Sequence, residues 1–147
     1  MKRQDSFLTA AEGYESKCVT ISDYYRITNH IEDDIGKNDV DPHILHQLYL
    51  ALNRCRKYYS EEIPENIVTM NSELSILTEE NDEKTIKIVY PEDVTKPENI
   101  SVYSSLGLAC LGRKEGSKIS YYEDDVFKTA VIKKITFQPE KEKLYNL

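Results

Sequence analysis

Around residue 60 the apolar residues change their spacing, and the change constrains the fold more than any other feature of the chain. Before it, Leu45, Leu48, Leu52, Cys55 and Tyr59 recur at alternating intervals of three and four, the seam of a helix that packs lengthwise on another. After it, Val68, Met70, Leu74 and Ile76, then Ile86, Ile88 and Tyr90, alternate with period two, as strand residues do when one face is buried. Pro64 stands at the change and blocks helix continuation. The pattern predicts an α+β chain with helices first and strands after.

The helical part reads as two helices. In the first, over 23–35, Asp23, Tyr24, Ile27 or Thr28, Ile31 and Ile35 recur at helical spacing until Gly36, with Asn38 and Asp39 in a turn. Asp41 as N-cap with Pro42 at the first helical position opens the second, over 42–59. So short a connection makes the pair antiparallel, a short coiled-coil hairpin over 19–62. A hairpin with one seam either leans on another element or projects as an arm. Ahead of it, residues 1–18 carry charges that cancel and read as a loosely ordered tail.

The remaining module, 63–147, has a turn at Glu80-Asn81-Asp82 and a strand at Ile100 and Val102. A short helix over 106–111 has Ser105 as its cap and Gly112 at its end. Two strands, over 118–122 and 126–137, flank the acidic turn Glu123-Asp124-Asp125. Phe127, Val131, Ile135 and Phe137 are expected on one face of the last strand.

Composition removes several functions. A net charge of −7 over 147 residues argues against direct nucleic-acid binding, which needs clustered Lys and Arg. No secretory signal or membrane span is expected, so the expectation is a cytoplasmic protein. Cys18, Cys55 and Cys110 form no C-x-x-C pair and indicate neither a disulfide framework nor zinc; Cys55 and Cys110 read as core residues. Gly107 and Gly112 have the spacing of a phosphate-binding loop. Arg113 and Lys114, however, stand where that loop needs lysine and a hydroxyl, and the residues between the glycines are apolar.

At the hairpin tip, Glu32, Asp33, Asp34, Asp39 and Asp41 face a single Lys37. Such a tip is either a solvated turn or a probe for a basic or metal-containing channel. His30, His43 and His46 approach the same tip, yet Leu45 and Leu48 own the buried face and no metal site is expected. Lys133, Lys134, Lys141 and Lys143 read as solvated strand edge and tail.

One run carries a family resemblance. Ile100-Ser101-Val102-Tyr103-Ser104-Ser105-Leu106-Gly107-Leu108-Ala109-Cys110-Leu111-Gly112 resembles the Gre-family pattern I-S-x-x-S-P-[IV]-G-x-A-L-[IL]-G, with Gly116 at the family's next glycine. Within that superfamily, Ile63-Pro64-Glu65-Asn66-Ile67-Val68-Thr69-Met70-Asn71-Ser72, Val89-Tyr90-Pro91 and Phe137-Gln138-Pro139 resemble the regulator of nucleoside diphosphate kinase (Rnk) family. The resemblance implies an FKBP-like antiparallel sheet module with one short helix. It also implies a non-enzymatic partner of core bacterial RNA polymerase, without cofactor or metal, a monomer being the simplest expectation. The module would dock on the rim of the polymerase secondary channel through Ser101, Tyr103, Ser104, Ser105, Leu106 and Gly107, with Asp33, Asp34, Asp39 and Asp41 on a hairpin tip pointing inwards. Ser105 stands where the family has proline, and no Gre-type acidic motif aligns at the tip. The FKBP-like fold also admits a peptidyl-prolyl isomerase or peptide-binding module, with Tyr90, Tyr103, Tyr121 and Phe127 as pocket aromatics.

Overall fold

The computed structural model describes residues 16–147. The tail expected over 1–18 thus lies outside the described residues as far as residue 15, and its last residue, Cys18, opens a strand, β1 (Cys18–Thr20). Thr20 caps helix α1 (Ile21–Asp34), its hydroxyl accepting the Asp23 N–H at 2.9 Å. Helix α1 buries Asp23, Ile27 and Ile31. Ile35, expected in the same stripe, falls past the helix end and is 64% exposed. Gly36, at φ +87°, turns the chain, and the Asp41 carboxylate accepts the His43 N–H at 2.9 Å to start α2 (Pro42–Arg54). Leu45, Leu48 and Leu52 are its buried residues.

Helix α2 ends at Arg54, short of the expected Tyr59. Cys55 is extended (ψ 147°), and β2 (Arg56–Tyr58) pairs in parallel with β1. The Lys57 ammonium caps the helix end through Leu52 O and Cys55 O. Tyr59 therefore lies outside the seam, 62% exposed.

A curled sheet follows, built from β3 (Glu73–Thr78), β4 (Glu83–Val89), β5 (Asn99–Ser101), β6 (Lys118–Glu123) and β7 (Val126–Phe137) in the order β5-β4-β3-β7-β6. Its pairs are antiparallel except β4–β5, which is parallel and departs from the expected all-antiparallel sheet. The reason is the connection over 90–98: Pro91 turns the chain away and it re-enters the sheet in its original direction. Val68 and Met70 are buried as expected, but they precede β3 in a turn through Asn71, at φ 67°.

The face of β7 also differs from expectation. Ala130 and Ile132 are buried while Phe127 and Val131 are exposed, at 56% and 38%. A bulge explains it: Ser75 pairs with Lys134 but Ile76 pairs with Ile132, which leaves one residue extra and reverses the phase, so that Ile135 and Phe137 again turn inward.

Helix α3 (Ser105–Cys110) joins β5 to the last two strands. Its cap is Ser104, one residue before the expected Ser105, and accepts the Gly107 N–H at 3.0 Å. Gly112 knits three segments: its N–H reaches Val68 O at 2.8 Å and its carbonyl takes the Cys18 N–H at 3.0 Å. Buried residues of both helices, α3 and the sheet form one contiguous core, from Ile27, Leu48 and Leu52 to Leu74, Ile88 and Ile132. Among the described residues no helix is long and apolar enough to cross a membrane.

Candidate protein-docking site

The loop between β5 and α3 is held by its own side chains. Ser101 Oγ accepts the Tyr103 N–H at 3.0 Å, while Ser104 Oγ donates to Ser101 O at 2.7 Å and caps the helix. Two of the three candidate serines are thus engaged in shaping the turn. Ser105, at the first helical position, is exposed, and its hydroxyl accepts the Tyr122 N–H of β6 at 2.9 Å. Proline suits that helical position because no N–H is needed there, and a serine satisfies the same geometry while adding a tie to β6. Leu106 and Tyr103 are half-buried, and Gly107 is buried against the Ser101 carbonyl.

The hairpin tip lies against this loop. The Tyr103 hydroxyl donates to Asp34 Oδ2 at 2.6 Å, and Lys37 holds the other carboxylate oxygen at 3.1 Å. The tyrosine first and the ammonium second keep the Asp34 carboxyl below the usual carboxylate range. Between them the tip, with exposed Asp33, Asp39 and Asp41, and the opposite wall of Pro91, Glu92 and Tyr103 enclose an open cleft of about 540 Å³. Of the loop candidates Tyr103 thus shares this cleft with Asp33, Asp34, Asp39 and Asp41 of the tip, whereas Ser105 faces β6.

The histidines do not converge. His30 stacks on Tyr90 at 4.7 Å and approaches Glu92 at 3.4 Å. His43 pairs with Gln47, and His46 lines a separate groove beside Ile35 and Tyr49. Among the described residues no group of three or more His, Cys, Asp or Glu is placed to hold a metal ion. The four aromatics of the isomerase reading do not form a shared pocket either. Tyr103 faces the tip cleft, Tyr121 is buried against the sheet, and Phe127 is exposed.

Sequence reasoning missed Asp23 as a joint between hairpin and sheet. It is 1% exposed and accepts the Met70 N–H at 3.0 Å and an Arg26 guanidinium N–H at 3.3 Å. The signal was available, since Asp23 stands in phase with Ile27 and Ile31 on the buried stripe. Burial pushes its carboxyl up to about 7, against the hydrogen bond from Met70 and helped by the charge of Glu140. An unfolded aspartate titrates near ~3.9. Between about pH 4 and 7 the folded chain therefore holds a proton that the unfolded chain has released. Stability from this group is complete below about pH 4 and declines as the pH rises towards 7, by up to about 1.4 kcal/mol per pH unit. Denaturant titrations across that range should show the decline, and Asp23→Asn, which keeps an acceptor for Met70, should flatten it. Parallel curves for the two proteins would contradict the assignment.

The GreA/GreB transcription elongation factor C-terminal family matches residues 63–137, just over half of the chain. The chain belongs to the GreA/GreB family. No curated protein matches it. Among solved structures it is similar to a prokaryotic GreA/GreB transcription elongation factor from Nitrosomonas europaea, with 27% identity, a TM-score of 0.68, and coverage of 84% of this chain and all of that one. The GreA factor homolog 1 protein of Thermus thermophilus also matches, at 15% identity and a TM-score of 0.45, over 84% of this chain and 100% of that one. The isomerase reading gains no support from the family match or from the Nitrosomonas structure. In this GreA/GreB family chain the matched region contains the whole loop from Ser101 to Gly107 and excludes the hairpin.

Proposed function

We propose that this chain is a non-enzymatic regulator that binds core bacterial RNA polymerase. Residues 63–147 dock on the rim of the secondary channel through the loop at Ser101, Tyr103, Ser104, Ser105, Leu106 and Gly107. The observation that carries this reading is the family match over 63–137, which includes a loop tied by its own hydrogen bonds with one outer residue, Ser105, exposed. A strand-to-helix turn locked by its own hydrogen bonds presents a small, preorganised surface, which lowers the ordering cost of association. The motifs at residues 63–72 and 137–139 favour an Rnk-like member of the family, with α1 and α2 as a short coiled-coil hairpin packed on an FKBP-like module.

The hairpin is a plug or spacer in this reading and supplies no catalytic group. Helices of 14 and 13 residues reach only about 20 Å at ~1.5 Å per residue. One tip carboxylate, Asp34, is already engaged by Tyr103 and Lys37.

Binding of the purified full chain to core polymerase tests the proposal. Ser104 must be left in place because it caps α3, so the informative variant is Ser105→Lys, which sets a long charged side chain on the exposed corner of the loop. Affinity is expected to fall by at least about tenfold with an unchanged circular dichroism spectrum. Full-strength binding by Ser105→Lys would remove the loop from the interface.

A further inference from the structure

At its turn end the exposed face of the β6–β7 ribbon is aromatic, whereas the next pair along it, Ser120 and Thr129, is polar. Tyr122 and Phe127 are cross-strand partners, packed edge to face with ring centroids 5.4 Å apart, and are 60% and 56% exposed. Val131 lies farther along the same face, beyond Thr129 and opposite Lys118. Ala130 and Ile132 fill the inner face of β7, which leaves Phe127 and Val131, with Thr129 between them, on the outer one. Among the described residues only the inner face is covered.

Two further features say what kind of partner covers the other. The turn beside the aromatic pair is acidic. Glu123 is neutralised by Lys128 at 2.6 Å, whereas Asp124 and Asp125 are exposed and form no ion pair among the described residues. The face is also continuous with the docking loop, because the exposed Ser105 hydroxyl holds the Tyr122 N–H at 2.9 Å. That bond satisfies the outer N–H of edge strand β6 at this point, which favours docking on the face over addition of a further strand.

Resting on the polymerase-binding reading, we infer that Tyr122, Phe127 and Val131, with Asp124 and Asp125, form a second contact surface that extends the docking loop. It receives a protein segment of the polymerase bearing an apolar anchor flanked by lysine or arginine. The exposed aromatics are the anchors on this side. The two aspartates match the partner's basic charge and speed its approach.

The test measures the affinity and association rate of the full chain for core polymerase at low and physiological salt. Tyr122→Thr/Phe127→Thr keeps a strand-compatible cross-strand pair, so the fold is retained and a thermal melt verifies it. Affinity should fall by at least about tenfold. Asp124→Asn/Asp125→Asn keeps residues that tolerate the positive φ of this turn, 52° and 64°. It should slow association and flatten its salt dependence. If Ser105→Lys weakens binding while both double variants bind like the unmodified chain, polymerase binding stands and this inference falls. Failure of the unmodified chain to bind polymerase overturns both. If the Thr variant instead abolishes self-association seen by sedimentation and leaves polymerase binding unchanged, the face is covered by a second copy, and the inference is overturned.

Discussion

Gly107→Ala is expected to destabilise the fold by at least about 3 kcal/mol, more than any other single methyl addition at a described glycine. A Cβ at Gly107 would stand 2.1 Å from Ser101 O and 2.9 Å from Ser101 C, both backbone atoms of the strand that α3 crosses. Neither can move without breaking the Val102 N–H bond to Val89 O and the loop's own hydrogen bonds. Gly112→Ala should rank second, since φ is +83° and Cys18 O would lie 2.8 Å away. Gly36→Ala and Gly116→Ala have open space and bear only the cost of positive φ, about 1 kcal/mol. Chemical denaturation of the four variants gives the ranking, and a Gly107→Ala protein as stable as Gly36→Ala would show that α3 does not cross Ser101 as described.

Leu48→Asp should also cost several kcal/mol, because it leaves an unpaired carboxylate at a fully buried position. Where the damage stops depends on how the hairpin is joined to the sheet. Asp23 bonds to Met70, His30 stacks on Tyr90, and Asp34 accepts from Tyr103, while the apolar residues of both parts form one cluster. We therefore expect the variant to lose helix and sheet signals together, in a single transition shifted to lower denaturant. A residual cooperative transition from residues 63–147 after the helices have melted would establish a division of the chain at residue 63.

Local chemistry was legible in the sequence wherever it acts over a few residues. Asp41-Pro42 starts α2 where its capping chemistry places it, and Gly36 turns the hairpin. The glycines of the 100–112 run are demanded by a close backbone crossing at Gly107 and a positive φ at Gly112. What stayed hidden depends on partners far along the chain. Helix α2 stops at Arg54 because residues 56–58 pair with Cys18–Thr20, and no local signal announces a strand supplied from before the hairpin. The face of β7 was misassigned because a bulge opposite Ser75 and Ile76 reverses its alternation midway. The meeting of tip and loop rests on Tyr103 and Asp34, 69 residues apart, and neither residue type foretells the other.

Whether this chain binds polymerase without cleaving transcripts is decided by a backtracked elongation complex incubated with the purified chain. Transcript cleavage of the Gre type needs free carboxylates brought within ligand distance of the polymerase metal, and small positional errors in a catalytic group already cost about a hundredfold. With helices of about 20 Å and Asp34 held by Tyr103, the tip lacks that reach and freedom. No shortened transcripts are expected with this chain alone, and cleavage is expected to slow when it competes with an active cleavage factor for the polymerase. Shortened transcripts that appear with this chain alone, and disappear in Asp33→Ala/Asp34→Ala or Asp39→Ala/Asp41→Ala, would contradict this expectation.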